Sequence, residues 1–294
     1  MSEPNGATLS FPTLLDAAEE RSGVQQRVFY RVLGGQIVAL ALAAGTALLP
    51  VSSLSGIGPI VALLVFMGII AVQVSGIADK AEKEWYEARA ASESIKAASW
   101  EFATGGEAFR LGDAASEERF RQLMGGILEQ LPRLDVPSAS HANASVTESM
   151  ASLRCSSMEI RRAAYRQWRV DDQLGWYSKK SKWNKDRAKR SRGILVGVSA
   201  VAIVLGILRI RGNIDIDLMS VMAALSSGVI VWMQGKKYTQ LSEAYSVTSH
   251  EIALLASTID AERTEQEWAQ FIHDAEAAFS REHTMWKARM QGPI

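Results

Sequence analysis

Charged side chains vanish from the chain in two places. From Val32 to Ala78, a run of 47 residues, there is no Asp, Glu, Lys, Arg or His. One membrane helix needs ~20 apolar residues, so this run suits two spans and a turn. Pro50 and the Ser/Gly-rich stretch from Ser52 to Pro59 divide it, which predicts a hairpin with spans at about 31–49 and 59–78. The second block repeats the form. Gly193–Leu208 and Leu218–Gly235 are uncharged, and the short polar segment Arg209–Asp217 separates them; the predicted spans are about 193–210 and 218–235. The rival reading is a pair of buried hairpins in a soluble bundle. Soluble surface helices keep a polar stripe, and these runs have none. The first block is preceded by a segment holding Asp16, Glu19 and Glu20, which is not the form of a signal peptide.

Outside the blocks the period is helical. Tyr238, Leu241, Tyr245, Thr248, Ile252, Leu255 and Ile259 recur at alternating spacings of 3 and 4, a heptad seam. Span four is therefore expected to continue as one helix to about residue 263. Trp85, Ala88, Ser92, Ile95, Ser99 and Phe102 follow the same rule after span two, up to Gly105-Gly106. Further helices are expected over about 113–131, with Phe120, Leu123, Met124, Ile127, Leu128 and Leu131 on the apolar side, then 144–169, one from about 170 feeding span three, and 264–289. Gly105-Gly106 and Gly125-Gly126 read as helix breaks, and Pro132, Pro137 and the polar run behind them read as a linker. The fold class is all-α: a polytopic membrane protein whose four transmembrane helices continue into a cytosolic helical bundle. The order of elements suggests an internal duplication, divided as a first hairpin unit at 1–106, a helical connector at 107–169 and a second hairpin unit at 170–294.

Charge sets the orientation. The flanks of the hairpins are basic: Arg21, Arg27 and Arg31 come before span one, Lys80, Lys83 and Arg89 after span two, and Lys236 and Lys237 after span four. Before span three stand Lys179, Lys180, Lys182, Lys185, Arg187, Lys189, Arg190 and Arg192. The positive-inside rule then places both termini and the middle of the chain in the cytosol, with the lipid bilayer as the first partner. Net charge is zero, with 32 basic and 32 acidic side chains, so there is no general attraction to nucleic acid. One cysteine, Cys155, rules out a disulfide framework, and four scattered histidines make a His-based metal site unexpected.

The eight-cation cluster has two readings. It is a topological anchor on anionic lipid or a surface for an anionic nucleotide signal. Polar residues inside the spans, Gln36, Gln73, Ser220, Ser227 and Gln234 above all, must meet other helices or water. They are candidates for helix–helix hydrogen bonds or for a pore lining. Asp215 and Asp217 with Arg209 and Arg211 are candidates for the outer mouth. Small residues four apart, at Gly193/Gly197, Ala202/Gly206 and Ala39/Ala43, suit close packing. The seam residues Tyr238, Leu241, Tyr245, Ile252, Leu255 and Ile259 are candidates for bundle or subunit contacts. No nucleophile elbow, phosphate-binding glycine loop or HExxH is present, so no enzyme activity and no cofactor are expected.

Several segments resemble the SLATT superfamily of two-span effector domains of prokaryotic conflict systems. Trp85-Tyr86-Glu87-Ala88-Arg89-Ala90-Ala91-Ser92-Glu93-Ser94-Ile95-Lys96 looks like its post-hairpin signature. Asp172-Gln173-Leu174, Trp176-Tyr177, Lys180 and Asn184 look like the segment that leads into the hairpin. Glu267-Trp268, Phe271, Glu282-His283 and Trp286 look like the C-terminal motif. The first unit departs from the pattern, carrying Val28-Phe29-Tyr30 where the Trp-Tyr pair would stand. The resemblance implies a non-enzymatic effector that forms a homo-oligomeric ion-conducting pore, gated from the cytosol, in antiviral defence. A tetramer is expected, since one chain of four spans encloses too little space. Its partner would be a nucleotide signal or a cytosolic sensor protein. The alternative is a membrane-anchored signalling or scaffold protein that passes no ions.

The topology has a direct check. With Leu54→Cys or Asn213→Cys, an impermeant thiol reagent applied to sealed cells should label the new cysteine and leave Cys155 unmodified. Labelling of Cys155 from outside would invert the assigned sides.

Overall fold

The computed structural model describes residues 9–48, 57–131, 145–214, 216 and 218–290, with the side chains of 47 and 280–290 left aside. Every regular element among the described residues is helical. Ten α-helices follow in chain order: α1 Thr13–Gly45, α2 Ile57–Val74, α3 Ile77–Thr104, α4 Ser116–Gln130, α5 Glu148–Arg154, α6 Met158–Tyr165, α7 Asp172–Ile210, α8 Leu218–Lys236, α9 Tyr238–Thr258 and α10 Glu265–Met290. A π-helical turn, Arg166–Asp171, joins α6 to α7. The linker at 132–144, the first hairpin's turn at 49–56, and Asp215 and Asp217 lie outside the described residues.

The described residues fall into two compact units. One, the apolar unit, takes Gln25–Lys83 and Lys182–Ser242. The other, the helical unit, takes those within Met1–Val24, Glu84–Ser181 and Glu243–Ile294. Helices α1, α3, α7 and α9 each contribute to both.

The apolar unit holds the four runs long and apolar enough to cross a membrane. Their side chains are bare: Leu63 and Leu64 are each 60% exposed, Val196 63% and Ile203 64%. In water that surface would drive aggregation; in hydrocarbon it is at home, and the helices keep their backbone bonds internal. Close packing comes from glycines. Gly228 of α8 faces Ile37 of α1, and Gly235 faces Leu33, so near that a Cβ would stand 2.7 and 2.5 Å away. Gly206 of α7 approaches the Met219 sulfur of α8. Of the small-residue pairs expected to pack, Gly193 and Gly197 meet nothing within 4 Å; both lie on an exposed face of α7.

Several expected boundaries are corrected. The first helix begins at Thr13, far before residue 31, because Leu14, Leu15, Ala17 and Ala18 bury an apolar face in the helical unit. It ends at Gly45 with a 3-10 turn to Leu48. Span two is not continuous with the helix after it: the chain turns at Ser75-Gly76, with Gly76 at φ 62°. Span four also breaks, at Lys237, whose φ of 51° is left-handed, and its successor α9 stops at Thr258. Neither break carries a proline. Each resumes at once, Lys80 N donating to Gly76 O at 3.0 Å and Leu241 N to Lys237 O at 2.9 Å. The duplicated order thus includes the same left-handed interruption after each hairpin.

Two further corrections concern the connector. The helix expected over 144–169 is α5 and α6, parted at Cys155–Ser157, and then the π turn. The Thr147 side chain caps α5 by accepting from Met150 N, and Ser157 precedes α6 in extended backbone. Gly125-Gly126 is no break: α4 runs through it, because Phe120, Met124 and Ile127 on its buried side hold the helix down. Leu123 and Leu128, expected on that side, are exposed.

Gly76 is a position where glycine's freedom is needed. Gly76→Val should lower thermal stability by about 1–2 kcal/mol, the cost of a side chain in the left-handed region, measured by unfolding in detergent. Gly68→Val, at a helical glycine with open space around it, should change stability less. Equal effects would show that the turn at 76 is readily remodelled.

Candidate functional site

Polar groups gather in two sets, one in each unit. In the apolar unit the spanning residues separate into two kinds. Gln36 of α1 donates from Nε2 to Gln73 Oε1 of α2 at 3.1 Å, so this pair ties the first hairpin together. Thr46 and Ser75 hydroxyls donate back to the Ala43 and Val72 carbonyls. Ser220, Ser227 and Gln234 of α8 are exposed. They form a line seven residues apart, set about 100° round the helix from Gly228 and Gly235, which contact α1. The stripe therefore flanks that contact.

The eight cations of α7, Lys179, Lys180, Lys182, Lys185, Arg187, Lys189, Arg190 and Arg192, are all exposed or half-exposed. Lys180 sits 5.8 Å from the Trp176 ring centroid and Arg187 5.1 Å from that of Trp183. Along the heptad positions, Tyr238, Tyr245, Ile252 and Ile259 are buried and Leu241 and Leu255 half-buried. In the helical unit Tyr245 packs edge-on against Tyr177 at 5.5 Å and Trp176 at 5.4 Å. All six seam positions of α3, from Trp85 to Phe102, are buried.

The second set was not visible in sequence. At the heart of the helical unit Glu276 of α10 is buried against Arg169 of the π turn, with side-chain exposures of 3% and 4%. Arg169 donates from Nε to Oε1 at 3.0 Å and from Nη2 to Oε2 at 2.6 Å, and the Tyr165 hydroxyl donates to Oε1 at 2.8 Å. Burial pushes the Glu276 carboxyl above its ordinary value, and the Arg169 charge and the three donors oppose that rise. Burial acts to lower the Arg169 guanidinium's pKa, but the Glu276 charge and its hydrogen bonds together lift it above the ordinary value. Burial and the same carboxylate push the Tyr165 hydroxyl well up, so it stays a donor.

Two turns earlier, Arg161, 1% exposed, donates from Nη1 to Thr104 O at 2.7 Å and pairs with Glu265. Trp268 Nε1 donates to the same carbonyl at 3.0 Å. Thr104 O is an end carbonyl of α3, left without a helical partner, so two side chains cap it. Next, Gly105 is at φ 78°, and Gly106 lies so close to Glu101 that a Cβ would collide with its Cγ. Gly105-Gly106 is thus a built turn that brings Glu101 to the Ala108 N–H at 3.0 Å and His273 Nδ1 at 2.9 Å. The hydrogen bond to Glu101 raises the His273 pKa.

A signal for this network exists in retrospect. Arg161, Tyr165 and Arg169 lie four apart on one helical row, and Glu276 falls inside the apolar stripe Ile272, Ala275, Phe279. Charges on a stripe that must be buried imply partners. The partner identities come from separate parts of the chain, which periodicity does not connect.

Glu276→Gln should destabilise the helical unit by about 3–5 kcal/mol, since it leaves Arg169 buried and unpaired. Arg169→Met with Glu276→Leu should recover much of that loss, because the charges leave together. Chemical unfolding of the full chain in detergent measures both. A double variant no better than the single would mean that the pair holds the π turn's geometry beyond its own charge balance.

Among the described residues, no group of three or more His, Cys, Asp or Glu is placed to hold a metal ion. Residues 12–162 match SMODS and SLOG-associating 2TM effector domain 3, and residues 165–286 match SMODS and SLOG-associating 2TM effector domain 1. No curated protein and no solved structure matches the chain. The first match spans α1 through most of α6, and the second spans the π turn through most of α10, so each takes one hairpin and the helices after it. The chain belongs to the SLATT family as a tandem pair of two-span effector domains, in an all-α, multi-pass membrane protein.

Proposed function

We propose that this membrane effector is a homo-oligomeric, non-enzymatic pore of the bacterial inner membrane, gated by its cytosolic helices in antiviral defence. The observation that carries the reading is the exposed stripe Ser220, Ser227 and Gln234 on α8. Hydroxyl and amide groups facing hydrocarbon are unfavourable. Ser227 and Gln234, exposed on the flank of the α1 contact, call for water or another copy of the chain. Copies arranged around one axis, a tetramer in the simplest case, would bring the stripes to a shared polar lumen. Apart from Arg31 and Arg209 at their ends, the spans hold no charge, so such a lumen discriminates ions weakly.

The gate belongs with the helical unit. Arg169 sits in the π turn that leads into α7, and α7 contains span three. π turns cluster at functional positions because they store a one-residue register shift. Glu276 holds this one from α10. A nucleotide signal or a sensor protein that displaced α10 would free the turn to relax.

Purified full-length protein in planar bilayers tests the reading. Wild type should conduct. Ser227→Leu, with a bulky apolar group near the middle of the stripe, should abolish conductance by dewetting, while Ser226→Leu, about 100° away, does less. The opposite ranking would move the lining to another face of α8. No conductance from wild type, with or without signal, would favour a scaffold.

A further inference from the structure

Where the uncharged runs end in the apolar unit, aromatic rings and cations are assembled into one cluster. Lys236, the first residue past the uncharged run of α8, places its ammonium 3.2 Å from the Tyr30 ring centroid and 4.9 Å from that of Trp232. Tyr30 and Trp232 pack on each other at 6.0 Å. Gly34, one turn beyond Tyr30, lets the Trp232 ring approach. On the neighbouring side, Trp183 packs edge-on against Tyr238 at 5.9 Å. Arg187, one turn further along α7, lies over Trp183.

Lys236 and Arg187 share a second property. Among the described residues neither forms an ion pair, although Lys237 next door reaches Glu82 at 3.9 Å. Burial, and then the Arg187 charge, push the Lys236 amine below its ordinary value. Each cation sits over an aromatic face that leaves part of its donor capacity open, and the Trp183–Tyr238 contact brings the two rings' helices together. Topology requires only that positive charge be present at this end; it does not require a half-buried lysine. An anion between them would relieve both the repulsion and the lost hydration.

We propose that Lys236 and Arg187, seated on Tyr30, Trp232 and Trp183, form a binding site for the phosphate of an anionic phospholipid. The phosphate chemistry alone would also admit a soluble nucleotide. Position favours the lipid: Lys236 directly follows the apolar run of α8, and Tyr30 stands two residues before that of α1. This is the headgroup level, where Trp and Tyr gather and basic residues meet lipid phosphates. The assignment does not depend on whether the protein conducts.

Native mass spectrometry of the full chain tests it, using detergent micelles doped with phosphatidylglycerol or phosphatidylcholine. Wild type should retain phosphatidylglycerol in preference, and Lys236→Gln or Arg187→Gln should each weaken that retention about fivefold or more. Lys182→Gln and Lys189→Gln, on the same basic helix, should leave it unchanged, and Lys236→Arg should preserve it. Equal retention of both lipids by wild type overturns the site whatever the variants do. Equal losses at Lys182 or Lys189 reduce it to general surface charge and overturn it too. Displacement of the bound phosphatidylglycerol by a soluble nucleotide such as ATP would show that the occupant is not a lipid.

Discussion

Hydrocarbon offers no hydrogen-bonding partner, and the organisation of this protein rests on that constraint. Each spanning segment must satisfy its backbone internally, so the uncharged runs are helices before any packing is considered. The same constraint removes the usual reason for helices to associate, because lipid tails are as apolar as leucine. Surface fit and the few polar groups remain to hold the spans together. Gly228 and Gly235 let α8 close on α1, and Gln36 with Gln73 joins the first hairpin. A hydroxyl or amide left outside these contacts, as at Ser227, keeps its need for a polar neighbour.

In the helical unit water is available and the balance is different. Apolar burial dominates, through Ile95, Phe120, Ile252, Ile272 and Trp268. Into this core the fold brings several charges. A buried ion pair adds little net stability over an apolar replacement, but its geometry is demanding. Glu276 receives three donors from the π turn and the residue before it, so α10 has one register against that turn. The buried network therefore specifies which arrangement of the helices is native, more than it strengthens that arrangement.

The two halves use a common plan with different residues. After each hairpin the chain passes through a single left-handed residue, Gly76 in the first and Lys237 in the second. Glycine takes that conformation without strain, whereas lysine carries a cost. Lys237 is held there while its neighbour Lys236 is drawn onto Tyr30 and Trp232. The second hairpin thus ends in a strained residue beside a cluster of cations on aromatic rings.

The sequence by itself determined the fold class, the four spans and the family resemblance. Loss of charge over a membrane's length and a 3-4 apolar spacing are local signals, and they survive whatever the rest of the chain does. The buried seam from Trp85 to Phe102 was legible for the same reason. Tertiary structure decided the rest. Spacing alone could not reveal the turns at Gly76 and Lys237, because neither has a proline and helical residues resume at once after each. The division of 144–171 into α5, α6 and a π turn depends on which side chains are pulled into the core, and the glycines at 125 and 126 stay helical because Phe120, Met124 and Ile127 are anchored. The pairing of Arg169 with Glu276, 107 residues apart, and the stacking of Lys236 on Tyr30 join segments far apart in the chain. A one-dimensional pattern shows that a buried charge needs a partner; only packing in three dimensions chooses which one it meets.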